Sequence, residues 1–392
     1  MVTVRLSPRR QKRVEAGHPW VYDTEIESVD GACRPGDLAE VVDERGRFLG
    51  RGYINPRSTI AVRLLTRRRE TIDRGFFARR LLRAWEYRRR LLPALDTDAV
   101  RVVFAEADFL PGLVVDKFGD YLAVQTLTAG MDRWQSTLVE LLEEALRPKG
   151  ICERNDAGVR AREGLELRRG WIRGEPEAPV VVREHGLSFY IDVAHGQKTG
   201  FFLDQRENRA ALRGLVEGGR VLDAFCYTGA FSLHAAAYGA REVLGIDFSA
   251  EAVALAEANA RLNGLAGRCS FRTANAFDEL RNLERAGEKF DLAILDPPAF
   301  TRSKENLEGA LRGYKEINLR AMRLLPPGGF LVTCSCSYHL SEEQFLEVVL
   351  AAARDARRTL RLVELRRQAR DHPILPTHPE SYYLKCLILQ VF

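Results

Sequence analysis

Long apolar runs are missing from this sequence. No stretch approaches the roughly 20 residues that a membrane-spanning helix needs. The basic start, MVTVRLSPRRQKRV, has no apolar segment of signal-peptide type, so a cytoplasmic protein without a membrane partner is expected. A disulfide framework is missing as well: seven cysteines, an odd number, are scattered over 392 residues. The one C-x-C pair, Cys334 and Cys336, has no second pair at zinc-ligand spacing, and no metal is expected. Lysine is scarce, with eight of the 59 basic residues, which leaves 51 arginines. Hyperthermophile enrichment is usually in Lys and Glu. The bias therefore points either to codon usage or to RNA and phosphate binding, which favours the planar guanidinium fork.

What is present is ordinary globular composition, 46% hydrophobic and 29% charged, in a chain too long for one core. Residues 2–66 alternate like short strands (VTVRL, DLAEVVD, FLGRGYI, IAVRLL), with turns at Arg34–Asp37 and Glu44–Gly46. Arg9, Arg10, Lys12 and Arg13 form a basic segment here, either a solvated face or a contact to a nucleic-acid backbone. Asp73 to Leu92 reads as an amphipathic helix that buries Phe77, Leu81, Leu82 and Trp85 and stops at Pro93. A mixed segment follows to about residue 182. Its polar stretch ICERNDAGVRAREGLELRRG reads as mostly solvated, with an RNA path along Arg154, Arg160 and Arg162 as the lesser reading. Pro176 and Pro179 mark the next boundary. Three domains are expected: 1–66, 67–182 and 183–392.

The last segment repeats strand, turn and helix, which argues for a doubly wound α/β domain with a mainly parallel sheet. Leu292–Leu295 and Phe330–Val332 are continuous apolar runs, as buried parallel strands are. The first strand-to-helix turn, DAFCYTGAF, carries one glycine, Gly229, where a dinucleotide fold wants G-x-G-x-x-G; a Walker loop is absent too. A ligand without a pyrophosphate fits better. Asp247, 18 residues beyond Gly229, can accept two ribose hydroxyls. Asn275 and Ala276, at the end of a third strand, can meet an adenine edge while Phe277 packs on the ring. In that order, at successive strand ends, these residues describe S-adenosylmethionine. GQKTGFFLDQR, dense in glycine, aromatics and charge, reads as a flap over the methionine end, with Lys198 or Arg206 near its carboxylate.

Two resemblances add to this reading. GHPWVYDTEI with PGDLAEVVDERGRFLGRGYIN resembles a PUA domain, a small RNA-binding β barrel. Over the whole chain, GQKTGFFLDQRENR, LDAFCYTGAFSLHAA, DPPAF-x-RSK and TCSCS are similar to the PUA-containing class I methyltransferases that form 5-methylcytosine in bacterial 23S ribosomal RNA. The resemblance implies a Rossmann-like methyltransferase domain behind a β-barrel PUA domain and a central α+β domain. It implies a cofactor site of Asp223, Phe225, Tyr227, Gly229, Asp247, Asn275 and Ala276, with Asp296 at its border. The implied partner is 23S ribosomal RNA, naked or in a partly assembled large subunit; a homodimer stays open.

Carbon 5 of a pyrimidine is a poor nucleophile, and covalent attack of a thiolate at carbon 6 turns it into an enamine. Cys336 stands seven positions beyond Gly329, the spacing of the nucleophile in related cytosine-5 enzymes. Thr333-Cys334-Ser335 matches their local word instead. Spacing along a strand favours Cys336, and Cys334 is held in reserve, because the second cysteine those enzymes carry after Asp-x-Pro is Ala299 here. If the strand continues that far, both sulfurs share one face. Asp296 would bond N3 and the amino group of the cytosine, Phe300 would stack on the base, and His372 would border the crevice or serve as a structural histidine. The rivals are methylation of uracil carbon 5 or of a guanine nitrogen, and a non-catalytic RNA-binding factor.

Overall fold

In the computed structural model, which describes every residue except 9 and 301–305, the chain divides into two compact units. Arg9 and the Arg302-Ser303-Lys304 word therefore lie outside the described residues. Unit 1 comprises Met1–Val182, Ile191–Leu203 and Arg370–Ser381; unit 2 comprises Arg183–Tyr190, Asp204–Ala369 and Tyr382–Phe392.

Unit 1 opens with β1 (Val2–Leu6), α1 (Lys12–Glu15), β2 (Trp20–Val21), β3 (Ile26–Asp30), β4 (Asp37–Val42), β5 (Phe48–Ile54) and β6 (Val62–Thr66). They form one sheet in the order β2-β6-β5-β4-β1-β3, antiparallel except for β1 beside β4. Strict alternation in β1 turns Val2, Val4 and Leu6 inward onto Val14 of α1. Strands β2 and β3 go beyond the expected set. One is two residues long and the other largely exposed, so neither shows a clean period of two.

The unit continues through α2 (Arg74–Leu95), β7 (Ala99–Phe104), β8 (Leu113–Phe118), β9 (Tyr121–Thr126), α3 (Ala129–Arg133), α4 (Gln135–Leu146), β10 (Gly150–Asn155), α5 (Val159–Arg162) and β11 (Arg168–Arg173), with sheet order β11-β10-β9-β8-β7. Asp73 caps α2 by accepting from the Phe76 amide at 2.8 Å. The helix buries Phe76, Phe77, Leu81, Ala84 and Arg88, whereas Leu82 is exposed, so the buried stripe is rotated from the expected one. Pro93 does not stop the helix. It stands in the last turn, where a missing N–H removes one bond and only two residues follow, and the left-handed Asp96 ends it.

The polar stretch after residue 150 is solvated only in part: Arg162 and Arg169 are exposed and Arg168 is half-buried, but its opening is not solvated. All of β10 is buried, and so are Arg154 and Arg160. Arg160 bonds Asp132 at 2.9 Å and the Glu166 carbonyl at 2.9 Å; Arg154 bonds the carbonyls of Val193 and Gly196, both at 2.8 Å. Internal partners thus replace both solvent and an RNA path at these two arginines.

Hairpin strands β12 (Val180–Glu184) and β13 (Leu187–Ile191) precede α6 (Arg206–Ala210), β14 (Arg220–Ala224), α7 (Ala230–Ala237), β15 (Glu242–Asp247), α8 (Ala250–Leu262), β16 (Cys269–Thr273) and α9 (Ala276–Arg285). Then come β17 (Leu292–Leu295), α10 (Leu307–Leu324), β18 (Gly329–Ser335), α11 (Glu342–Ala356), β19 (Leu360–Arg367) and β20 (Lys385–Val391). The sheet order is β16-β15-β14-β17-β18-β20-β19. It is parallel from β16 to β18, with β20 antiparallel to both neighbours. The order reverses between β14 and β17, and a crevice opens beyond the carboxyl ends at such a switch point. The expected α/β architecture is therefore present, with the two apolar runs as adjacent central strands.

Candidate active site

The turn after β14 has positive φ at Phe225 (70°), Tyr227 (49°) and Gly229 (81°). Two non-glycine residues held in the left-handed region mark a place where the surroundings over-determine the backbone. At Gly229 a Cβ would stand 3.0 Å from Ala256 and 3.1 Å from the Phe271 ring, which leaves glycine as the residue that fits. The turn is tied to the next strand end. The Tyr227 amide donates to Asp247 Oδ2 at 2.9 Å, and Asp247 Oδ1 accepts from the Ser249 amide at 3.0 Å.

Asp223 is fully buried at the end of β14. Its Oδ2 accepts from the Ser232 hydroxyl at 2.6 Å, while Oδ1 has no hydrogen-bond partner among the described residues. Burial foremost, with the charges of Asp296 and Asp247 behind it, pushes this carboxyl up to about 7. Three carboxyl groups at neighbouring strand ends, one with an orphaned oxygen, suit a ligand that is cationic and rich in hydroxyl donors. They repel a phosphate. This chemistry fits S-adenosylmethionine.

Asn275 does not end the third strand. It follows β16 by two residues and caps α9, its Oδ1 accepting from the Phe277 amide at 2.9 Å. Behind it Ala276 is buried, and Phe277 joins an aromatic cluster with Phe225 (6.3 Å between centroids) and Phe300 (5.6 Å). Phe300 also packs on Tyr314 at 4.6 Å, so its ring lies within this cluster.

Asp296 follows β17, and the Gln205 amide donates to its Oδ1 at 2.9 Å. Gln205 is oriented in turn by Asn208, whose amide donates to Gln205 Oε1 at 2.7 Å. The two cysteines part company. Strand β18 ends at Ser335, one residue before Cys336, so the shared face does not form. Cys334 is fully buried opposite Cys386 of β20; the hydrogen bond its thiol donates to that cysteine, then burial, hold it well above its ordinary value. Cys336 is partly exposed, with its sulfur 3.9 Å from the Pro297 carbonyl of the Asp-Pro-Pro turn.

Two residues beside Cys336 escaped sequence reasoning. Tyr314 accepts from the Ser335 hydroxyl at 3.0 Å and shares a 2.9 Å bond with that of Ser337, pinning both flanks of the cysteine. Lys385, register partner of Ser335, is buried and donates to the carbonyls of Ser337 (2.8 Å) and Tyr383 (3.0 Å). Burial lowers it to about 8, against the pull of Cys336 and Glu342. The signal was a single lysine in the apolar run YYLKCLILQV.

The remaining predicted residues divide between the two units. Arg206 is a correction: its guanidinium is enclosed 3.5 Å from Glu184, in a buried cluster with Arg209 and His234, where it braces the unit. Lys198 belongs to unit 1 and sits over the Phe202 ring at 4.4 Å. His372, also in unit 1, is buried against Phe104, with Nδ1 2.9 Å from Asp371. Lys12 and Arg10 are exposed; Arg13 is held by Glu25 at 2.8 Å. His18, His378 and Glu380 bring three potential ligand atoms within 4.8 Å. Arg13 Nη1 stands 3.2–3.3 Å from both nitrogens of His18, so a cation already flanks that group.

Comparison with known proteins bears on the fold and on the cofactor. The sequence matches the family described as S-adenosylmethionine-dependent methyltransferase over residues 159–389, and the PUA-like domain family over residues 4–67. A protein of Shewanella denitrificans named ribosomal RNA large subunit methyltransferase I is 43% identical, with both chains covered in full. One of the same name from Tolumonas auensis is 42% identical over 99% of each. A methyltransferase solved as a complex with SAH shares the fold over the whole of both chains, with TM-score 0.86 at 20% identity. A second solved structure, of an S-adenosylmethionine-dependent methyltransferase from Streptococcus mutans, gives 0.85 at 20%.

Proposed function

The chain belongs to the S-adenosylmethionine-dependent methyltransferases, among the relatives named ribosomal RNA large subunit methyltransferase I, and from that premise we propose that it forms 5-methylcytosine in 23S ribosomal RNA with Cys336 as nucleophile. In this reading residues 1–66 are the PUA-like RNA-binding domain, 67–182 a central domain and 183–392 the methyltransferase domain of a cytoplasmic enzyme. The observation that carries it is the placement of Cys336. It is the partly exposed thiol at the strand end, beside the Asp296-Pro297 turn, braced by Tyr314 and Lys385.

S-adenosylmethionine, when bound, supplies an electrophilic methyl group on a sulfonium. Asp223, Asp247 and the turn from Phe225 to Gly229 hold it, with Asn275, Ala276 and Phe277 at the adenine. On the other side, the flipped cytosine meets Asp296, which Gln205 aims. The Cys336 thiolate forms a bond to carbon 6 and moves the ring electron pair towards carbon 5, which becomes the nucleophile. After methylation a base removes the carbon-5 proton, the double bond re-forms and the sulfur leaves. Lys385, a positioning residue, keeps positive charge beside the thiolate. Cys334 is too deeply buried to attack.

Replacement of Cys336 tests the assignment. Cys336→Ala loses methyl transfer to 23S RNA while binding S-adenosylmethionine as the wild type does, and Cys334→Ala retains transfer. Full activity in Cys336→Ala overturns the role of that thiol. Mass spectrometry of the nucleosides decides the base: 5-methyluridine or a methylguanosine in place of 5-methylcytidine overturns the cytosine assignment.

A further inference from the structure

Most buried guanidinium groups of unit 1 have a carboxylate or carbonyl to bond, as Arg88, Arg101, Arg154 and Arg160 do. A second group is only partly served: Arg67 donates to the His18 carbonyl at 3.3 Å and Arg80 to the Leu65 carbonyl at 3.0 Å, whereas Arg68 and Arg83 have neither kind of partner among the described residues. A recess of about 710 Å³ lies between the end of β6 and one face of α2. Arg67 and Arg68 line it from the segment after β6, and Arg79, Arg80 and Arg83 from α2, where spacings of three and four put side chains on one face.

Two carboxylates stand against these five. Asp108 is already bonded to the buried Arg88, and Glu70 accepts from the Thr66 hydroxyl at 2.6 Å and lies 3.5 Å from Arg79. Arg68 and Arg83 are exposed, with no carboxylate within 4 Å among the described residues. Burial, and behind it the charges of Arg83, Arg79 and Arg68 against the relief of Glu70, hold Arg80 below its ordinary value. Like charges gathered in one concavity repel unless an anion covers them.

The second observation is aromatic. Phe109 is 51% exposed at φ 59°, a left-handed backbone that a bulky residue rarely adopts. The Arg80 guanidinium lies 5.3 Å from its ring centroid. Tyr87, four residues beyond Arg83 on α2, is exposed at the same recess.

We propose that this recess anchors a single-stranded segment of the RNA substrate, with phosphodiesters on Arg68 and Arg83 and an unstacked base on Phe109. The proposal rests on the RNA reading above. A single strand offers both charges and exposed π faces, which basic grooves with aromatic platforms recognise. A duplex keeps its bases stacked and offers Phe109 no free face; an inorganic anion or an acidic peptide makes no use of the exposed ring.

The test uses the full chain with S-adenosylmethionine, a labelled single-stranded 23S fragment and a salt titration. Arg68→Ala/Arg83→Ala binds S-adenosylmethionine normally, loses about ten-fold or more in RNA affinity, and flattens the salt slope by about 1 to 1.5, at roughly 0.7 per phosphate. Its KM for RNA rises while kcat holds. Phe109→Gly suits the backbone and removes the ring, and lowers affinity by roughly five-fold or more with the slope unchanged. Wild-type affinity and slope in both variants overturn the recess while the methyltransferase reading stands. An equal loss of polyglutamate binding assigns the recess to an acidic protein and overturns it too. Absence of RNA methylation by the wild type removes the reading itself, and the recess proposal with it.

Discussion

Two arginine-rich stretches of unit 1 look alike in sequence and do opposite things. Residues 150–170 and residues 67–90 are both polar and basic. In the first, Arg154, Arg160 and Arg168 turn into a lattice with Asp132, Glu153 and backbone carbonyls. In the second, Arg68 and Arg83 stand exposed around a recess. The same residue type serves as internal mortar or as a docking charge, and what decides is whether a carboxylate arrives from a distant part of the chain.

The largest expected effect separates the two stretches directly. Arg160→Ala empties a fully buried site, leaves the Glu166 carbonyl without its donor and Asp132 with only the half-buried Arg168 as cation, and costs roughly 3–5 kcal/mol in denaturant unfolding, whereas Arg83→Ala stays within about 0.5 kcal/mol. Equal costs would erase the distinction.

Next comes a test of whether unit 2 uses buried pairing in the same way. Arg209 bonds Glu184 at 2.6 Å, and this pair with His234 and Arg206 overcomes burial, the largest influence, to hold Glu184 down to about 2 from 4.5. The folded form binds its proton less readily than the unfolded form does. The stabilisation, roughly 3 kcal/mol, is therefore present above pH 4.5 and is lost as pH falls towards 2. Acid titration of Glu184→Gln against wild type reads this, and parallel unfolding profiles would refute it.

The smallest effect concerns a buried cation that has backbone carbonyls as its bonding partners. Lys385 titrates at about 8, below its usual 10.5. Between those values the unfolded chain carries a proton that the folded one does not, so this residue makes stability rise with pH across that window. As a charge beside Cys336 it acts the other way, and its support fades above pH 8. Lys385→Met moves the pH midpoint of Cys336 alkylation upward by roughly one unit; an unmoved midpoint removes the lysine from the thiol's surroundings.

Much of the site was readable beforehand because its signals are local. Leu292–Leu295 is β17 to the residue, and Gly329–Ser335 contains the second run. Gly229 and Asp247 sit where strand-end spacing puts them. Arg206, Lys385 and Tyr314 were misread or missed. Their roles depend on partners remote in sequence: Glu184 for Arg206, and the strand end at 335–337 for the other two. Pro93 and Leu82 show the same limit on a smaller scale, since helix packing chose which turn would bear the proline and which face would be covered.

Periodicity and turn chemistry act over a few residues, so the sequence by itself determined the alternating strands and helices, the phosphate-free turn and the cysteine at a strand's end. Tertiary structure alone decided which of two cysteines is reachable and which arginines are free. Burial and ion pairing are properties of what the whole chain brings together.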